Sequence, residues 1–103
     1  MLSTLPDNIK NEIFTLSSAI GDVVIDYLCG ILEDLGYVIT SVDNYDSALV
    51  IHLKCELIIA ELRVDRILRQ FEVVARCADY TVLPRCGSWG DILEYLIRLR
   101  AGM

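Results

Sequence analysis

The sequence contains few residues that break regular structure: it has two prolines and six glycines among 103 residues. This composition argues against a low-complexity or collagen-like chain. The longest apolar runs, 48–51 and 57–60, are far shorter than the roughly 20 residues of a membrane-spanning helix. The chain does not open with a basic start, an apolar run and a small-residue cleavage site, so we expect a cytoplasmic protein without membrane insertion.

The hydrophobic content bounds the domain organisation. At 54% hydrophobic residues the chain is too apolar for a disordered tail. Its 103 residues are too few to build two separate hydrophobic cores. We therefore predict a single domain that spans 1–103.

Basic residues are scarce, with nine Lys and Arg against fifteen Asp and Glu, a formal net charge of −6. The first 53 residues contain Lys10 as their single basic residue. Binding to nucleic acid through its phosphates needs clustered Lys and Arg, so no nucleic-acid partner is expected. Two interpretations of the acidic surface remain open: a solvated helix face, or a surface that meets a basic protein partner and steers its approach.

Close cysteine pairs are also lacking, since the four cysteines are far apart and form no C-x-x-C motif. Structural zinc sites usually take their ligands from such pairs. In a reducing compartment we expect mostly buried free thiols and no cofactor. The alternative is an iron–sulfur or zinc site built from separated cysteines. The candidate ligands are Cys29, Cys55, Cys77 and Cys86.

Apolar residues recur at steps of three or four from Ile9 to Leu35 and predict amphipathic helix. Gly21 leaves two alternatives open, one long N-terminal helix or two shorter helices joined near that residue. One long helix would extend beyond a small sheet and leave Ile9, Ile13 and Leu16 in water. We therefore predict that these side chains pair with the same helix of a second chain in a homodimer.

Strand-forming segments follow Gly36, the expected left-handed end of the helical region. The segment 47–54 fits a short helix or a strand, and we favour the helix. The continuous apolar run within 56–63 predicts a strand covered on both faces, and Pro84 is expected to end the last strand. The predicted strands are 37–42, 56–63, 71–76 and 80–83, with a short link at 65–69.

The last element is a predicted C-terminal helix that begins with Ser88 and Asp91, close to a capping-box sequence. Trp89 in its first turn is a candidate partner contact. Its expected buried stripe consists of Ile92, Leu93, Leu96 and Leu99. The order of elements predicts an α/β fold, a sandwich of two or three layers with a helix at each end of the chain.

Three parts of the chain resemble the receiver domain of bacterial response regulators: 33–44, 46–49 followed by 56–64, and 78–93. The resemblance implies a truncated receiver-like parallel sheet. It aligns Glu61 with the phosphorylated aspartate, Arg85 with the receiver's lysine and Cys86 with its proline. No acidic pair to hold magnesium is evident, so the resemblance implies a degenerate receiver that cannot be phosphorylated.

Such a receiver would act as a non-catalytic regulatory binding module on a signalling partner such as a histidine kinase. It would be similar to short FixT-like antikinases, a likeness that favours an iron–sulfur cluster on some cysteines. The alternative is an acidic inhibitor of a basic enzyme, either a toxin immunity protein or a phage anti-defence protein. His52 has no Ser, Cys or Asp at a telling spacing, and we expect it to be structural.

The glutamate at the position of the phosphorylated aspartate leads to a direct prediction. After incubation with magnesium and acetyl phosphate, the intact mass of the chain is expected to stay unchanged, because Glu61 replaces the acceptor aspartate. A carboxylate phosphorylated at stoichiometric yield would contradict this prediction.

Overall fold

The computed structural model describes residues 5–15, 20–77 and 80–102 of the chain. In this part, three helices and five strands follow one another in the order ααβββββα. The elements are α1 (Asp7–Phe14), α2 (Asp22–Asp34), β1 (Val38–Asn44), β2 (Ala48–Cys55), β3 (Ile58–Asp65), β4 (Gln70–Cys77), β5 (Tyr80–Gly87) and α3 (Trp89–Gly102).

The five strands form one open sheet in which spatial order follows chain order, and every neighbouring pair is antiparallel. The expected receiver-like parallel sheet is therefore wrong. The connections 45–47, 56–57 and 66–69 are only long enough for hairpins, whereas a parallel pair needs a crossover of about a dozen residues or more. The broader prediction of a small α/β protein is confirmed.

The segment 47–54 explains why no crossover forms. It belongs to β2, so the preferred helix is wrong and the strand alternative is correct. Leu49, Ile51 and Leu53 are fully buried on one face, as the two-residue period of a strand requires. The neighbouring strand β3 is covered on one face only, because Ile59 is 59% exposed. The prediction of two covered faces for that strand is wrong.

The N-terminal helical region is divided into two helices. α1 ends at Phe14 and α2 begins at Asp22 with Gly21 as its N-cap, so the single long helix is wrong and the two-helix alternative is confirmed. Ile9 and Ile13 are 6% and 0% exposed, because α1 packs into the core of its own chain. Their expected exposure is therefore wrong. The predicted homodimer stays a prediction, now without the surface from which it was inferred.

The third residue of that predicted surface, Leu16, lies outside the described residues.

The junction between α2 and β1 has the predicted left-handed glycine, since Gly36 has a φ of +101°. Its N–H donates to the carbonyl of Glu33, and the Tyr37 N–H donates to the carbonyl of Leu32. These two bonds form a Schellman motif. The buried Tyr37 hydroxyl donates to the Leu96 carbonyl in α3 at 2.7 Å, and burial raises the pKa of Tyr37 to about 12.

The C-terminal helix begins as predicted. The Ser88 N–H donates to the Asp91 carboxylate and the Asp91 N–H donates to the Ser88 hydroxyl, a reciprocal capping box. The predicted stripe of Ile92, Leu93, Leu96 and Leu99 is buried. Strand β5, however, continues through Pro84 to Gly87, so the predicted stop at Pro84 is wrong. β5 is an edge strand, where a proline is tolerated on the unpaired side.

The side chain of Arg66 joins three parts of the fold. It is 1% exposed and lies in the turn between β3 and β4. Its guanidinium donates to the carbonyls of Ile13 at 2.7 Å, Glu12 at 3.3 Å and Thr15, at the C-terminal end of α1. It also donates to the Asp46 carbonyl at 2.9 Å, in the connection between β1 and β2. A helix end leaves such carbonyls without partners, and a cation there is favourable.

Replacing this guanidinium tests its contribution to stability. Arg66→Met is expected to lower the free energy of unfolding by about 3 kcal/mol or more, because buried carbonyls lose their donors at about 1–3 kcal/mol each. Urea denaturation followed by circular dichroism measures the change. The control is Arg63→Met on the exposed face of β3, where a change within about 0.5 kcal/mol is expected. Equal stability of the two variants would contradict this function of Arg66.

Candidate functional site

The side of the sheet turned away from the core is the surface we call the outer face. Along β2, β3 and β4 the core positions alternate with positions that point away from the core, and the second set forms this face. Most members of this set are exposed or half-buried, whereas Val50 is 6% exposed. The three helices contribute to the core on the other side. The residues of the outer face are paired with one another across the strands. They are Val38, Ser41, Asp43, Val50, His52, Lys54, Ile59, Glu61, Arg63, Glu72, Val74, Arg76 and Cys86.

Two polar pairs lie on the outer face. His52 Nε2 is 3.0 Å from Asp43 Oδ2, and Arg63 Nη2 donates to Glu61 Oε1 at 3.3 Å. Glu61 is also the cross-strand partner of His52. Sequence spacing does not indicate the Asp43–His52 pair, because the carboxylate comes from the neighbouring strand. A hairpin interpretation of residues 38–54 would have indicated it.

Ser41 is the cross-strand partner of His52, so a hydroxyl, an imidazole and a carboxylate occupy adjacent positions on the outer face. Proton-transfer chemistry benefits from a site that excludes water. The His52 and Asp43 side chains are instead 34% and 49% exposed. This exposure suits hydrogen bonding with the polar groups of a partner better than it suits general acid–base catalysis.

Glu61 and Arg85, the two positions aligned with the receiver's phosphorylation site, are not brought together. Glu61 lies on the outer face in β3, and β4 separates it from β5. The distance across two strand spacings is about 9–10 Å. Hydrogen bonds from Ser88 hold the pKa of Asp91 below its usual value, and the charge of Arg85 adds to this effect. Arg85 is the cross-strand partner of the fully buried Val73, so it lies on the α3 side of the sheet, opposite Glu61.

Trp89, the candidate partner contact, is 3% exposed. Its ring packs against Phe71 at a centroid distance of 5.3 Å, and Phe71 meets Phe14 at 5.7 Å. The apolar ring is covered because α3 turns onto the sheet directly after β5. The partner contact at Trp89 stays a prediction, and one side of this aromatic cluster borders a groove.

The four cysteines differ in environment. Cys77 is buried, Cys29 and Cys55 are half-buried, and Cys86 is exposed, so the expectation of buried thiols is wrong for Cys86. Burial, together with the charges of Glu33 and Asp26, raises the pKa of Cys29. Within the described ranges, no cluster of three or more His, Cys, Asp or Glu side chains is placed to share a metal ion.

Comparison with known proteins gives no match to a family model, a curated protein or a solved structure. No helix in the described part of the chain is long and apolar enough to cross a membrane. Function is therefore inferred from the geometry of the chain itself.

The exposed Cys86 provides a chemical test of the outer-face geometry. Partial desolvation of the thiol raises the pKa of Cys86. The hydrogen bond that this thiol donates to the Glu72 carboxylate, at 3.5 Å, raises the pKa further. Glu72→Gln removes the adjacent negative charge and is expected to lower this pKa, which increases the thiolate fraction. Alkylation of Cys86 by iodoacetamide at pH 8, followed by peptide mass spectrometry, should be faster than in wild type.

The matched control is Glu94→Gln, which removes an exposed carboxylate of α3. It is expected to leave the alkylation rate of Cys86 unchanged. An unchanged rate in Glu72→Gln would show that this carboxylate does not act on the thiol.

Proposed function

We propose that this chain is a non-catalytic protein-binding module that docks its partner on the outer face of the sheet. The observation that carries the proposal is the set of large apolar side chains exposed there. Val38 is 62% exposed, Ile59 is 59% exposed and Val74 is 38% exposed. An antiparallel sheet with one face in water normally places polar residues on that face. Apolar side chains grouped between polar ones are typical of protein interaction surfaces.

One row across the sheet combines these apolar residues with positive charge. Strand pairing places Val38 opposite Lys54, Lys54 opposite Ile59, and Ile59 opposite Arg76. This row alternates apolar and cationic side chains. It is complementary to a partner segment that alternates apolar and acidic residues.

A second row across the outer face carries charges of both signs. Asp43 and Glu72 are paired in register with Val50 and Arg63 of the intervening strands. Mixed charges across an interface favour one partner and one orientation, because a wrong register brings like charges together. The outer face thus supports selective recognition of a protein surface.

A signalling protein such as a histidine kinase is retained as the proposed class of partner. This class of partner is supported by the sequence resemblance alone, because the antiparallel sheet differs from the parallel sheet of a receiver domain. The action of the module is regulatory in this proposal: it occupies a surface of the partner and carries out no chemistry.

A second candidate function is inhibition of a basic enzyme, and the surface of α2 favours it. This helix exposes four carboxylates and contains no Lys or Arg. They are Asp22, Asp26, Glu33 and Asp34. Such a one-sign surface attracts a basic partner and accelerates its approach at low salt. The partner would be a basic nuclease or a similar toxin.

Changes on the two surfaces distinguish these proposals. The double variant Ile59→Glu with Val74→Glu is expected to weaken partner binding at least tenfold, which corresponds to about 1.4 kcal/mol, because two apolar contacts become charged. The immobilised chain first captures its partner from a lysate of the native host. The affinity of the purified partner for each variant is then measured by calorimetry.

The matched control is Val23→Glu, which adds the same charge at a 79% exposed position of α2. We expect it to bind like wild type. Unchanged affinity in the double variant would contradict docking on the outer face. Stronger binding in Val23→Glu, together with unchanged affinity in the double variant, would instead support the acidic inhibitor, because an added carboxylate increases the attraction of α2 for a basic partner.

A further inference from the structure

A groove of about 470 Å³ lies beside the aromatic cluster, separate from the outer face. It is formed by α1, the turn between β3 and β4, the first residues of β4 and the start of α3. Pockets for small ligands have volumes of about 300–1,000 Å³ and combine apolar walls with a few polar groups. The groove has this size and this combination.

Three aromatic rings form the apolar wall of the groove: Phe14, Phe71 and Trp89. Phe71 packs edge to face with Phe14 at 5.7 Å and tilted against Trp89 at 5.3 Å. The rings support one another in a fixed arrangement, and each also borders the groove. Aromatic rings associate with further planar rings through offset stacking and edge contacts. The wall therefore suits a planar aromatic group.

Two cations complete the lining. Lys10 comes from α1 and Arg69 from the turn between β3 and β4, and the guanidinium of Arg69 lies 5.7 Å from the centre of the Phe14 ring. Among the described residues that line the groove, none carries a carboxylate. The chain as a whole has a net charge of −6, so this grouping of positive charge contrasts with the average charge of the chain. The pair of cations is complementary to an anion.

The backbone that presents these cations is held in place. Asp65 Oδ1 accepts the N–H groups of Ile67 at 3.1 Å and Leu68 at 2.9 Å, which closes the turn just before Arg69. Arg66 in the same turn donates to the end of α1, the helix that carries Lys10. The two cationic elements are thus bonded to each other. A preorganised site of this kind binds with a smaller entropic cost.

We propose that this groove binds a small organic anion in which a planar aromatic ring carries a carboxylate, sulfonate or phosphate group. The ring lies against the parts of Phe14, Phe71 and Trp89 that border the groove, and the anionic group lies between Lys10 and Arg69.

Anilinonaphthalene sulfonate, an aromatic anion, is the probe, and phenylnaphthylamine is its neutral counterpart. Because Trp89 is the single tryptophan of the chain, quenching of its fluorescence reports occupancy of the groove. We expect saturable quenching by the sulfonate, with an affinity that decreases as sodium chloride is raised. The neutral compound is expected to bind at least tenfold more weakly.

The double variant Lys10→Gln with Arg69→Gln is expected to weaken sulfonate binding about tenfold, because both charge-assisted contacts are removed. Binding of the neutral compound should be unchanged. The matched control, Lys54→Gln with Arg76→Gln, removes two cations from the outer face and should leave both affinities unchanged. Circular dichroism and urea denaturation establish that each variant is folded.

Three results would overturn the proposal: equal affinity for the charged and neutral compounds, sulfonate binding that does not quench Trp89, or equal weakening in the two double variants. A result in which only the groove variant loses affinity for the anion would support it.

Discussion

The buried guanidinium of Arg66 is the interaction on which the arrangement of the other elements depends. A cation removed from water requires hydrogen-bond partners, and here they are main-chain carbonyls at the end of α1 and at Asp46. The carbonyls at the end of a helix need donors in turn. One side chain therefore satisfies both requirements and joins α1 to two hairpin connections of the sheet. This contact determines how the N-terminal helix lies on the strands.

The three helices cover one face of the sheet and leave the other face in water. Ile13, Leu28 and Leu96, one residue from each helix, are fully buried in the same core as the inner positions of the strands. The opposite positions are left in water, where cross-strand neighbours create groupings that the chain order does not contain. The Asp43–His52 pair and the row from Val38 to Arg76 are such groupings.

The docking of the helices also creates the aromatic groove. α1 brings Lys10 and Phe14 towards Phe71 in β4, and the capping box at Ser88 begins α3 so that Trp89 packs on the same ring. Gly87 is needed at this point, because a Cβ atom there would lie 2.8 Å from the Asp91 carboxylate of the capping box. The outer face and the aromatic groove share no residues, so the two proposed activities do not compete for the same side chains.

The sequence by itself determined the features that depend on neighbours in the chain. The left-handed Gly36, the capping box at Ser88, the buried stripe of α3 and the position of most strands follow from local backbone preferences and periodicity. Only the tertiary structure decided which strands pair and in which direction. The segment 47–54 fits a helical pattern as well as a strand pattern, and its hydrogen bonds to β1 and β3 on either side decide for the strand. The candidate sites depend on those pairings and on helix docking. Asp43 contacts His52, and Lys10 and Arg69 line the same groove, because of contacts between elements that no spacing along the chain specifies.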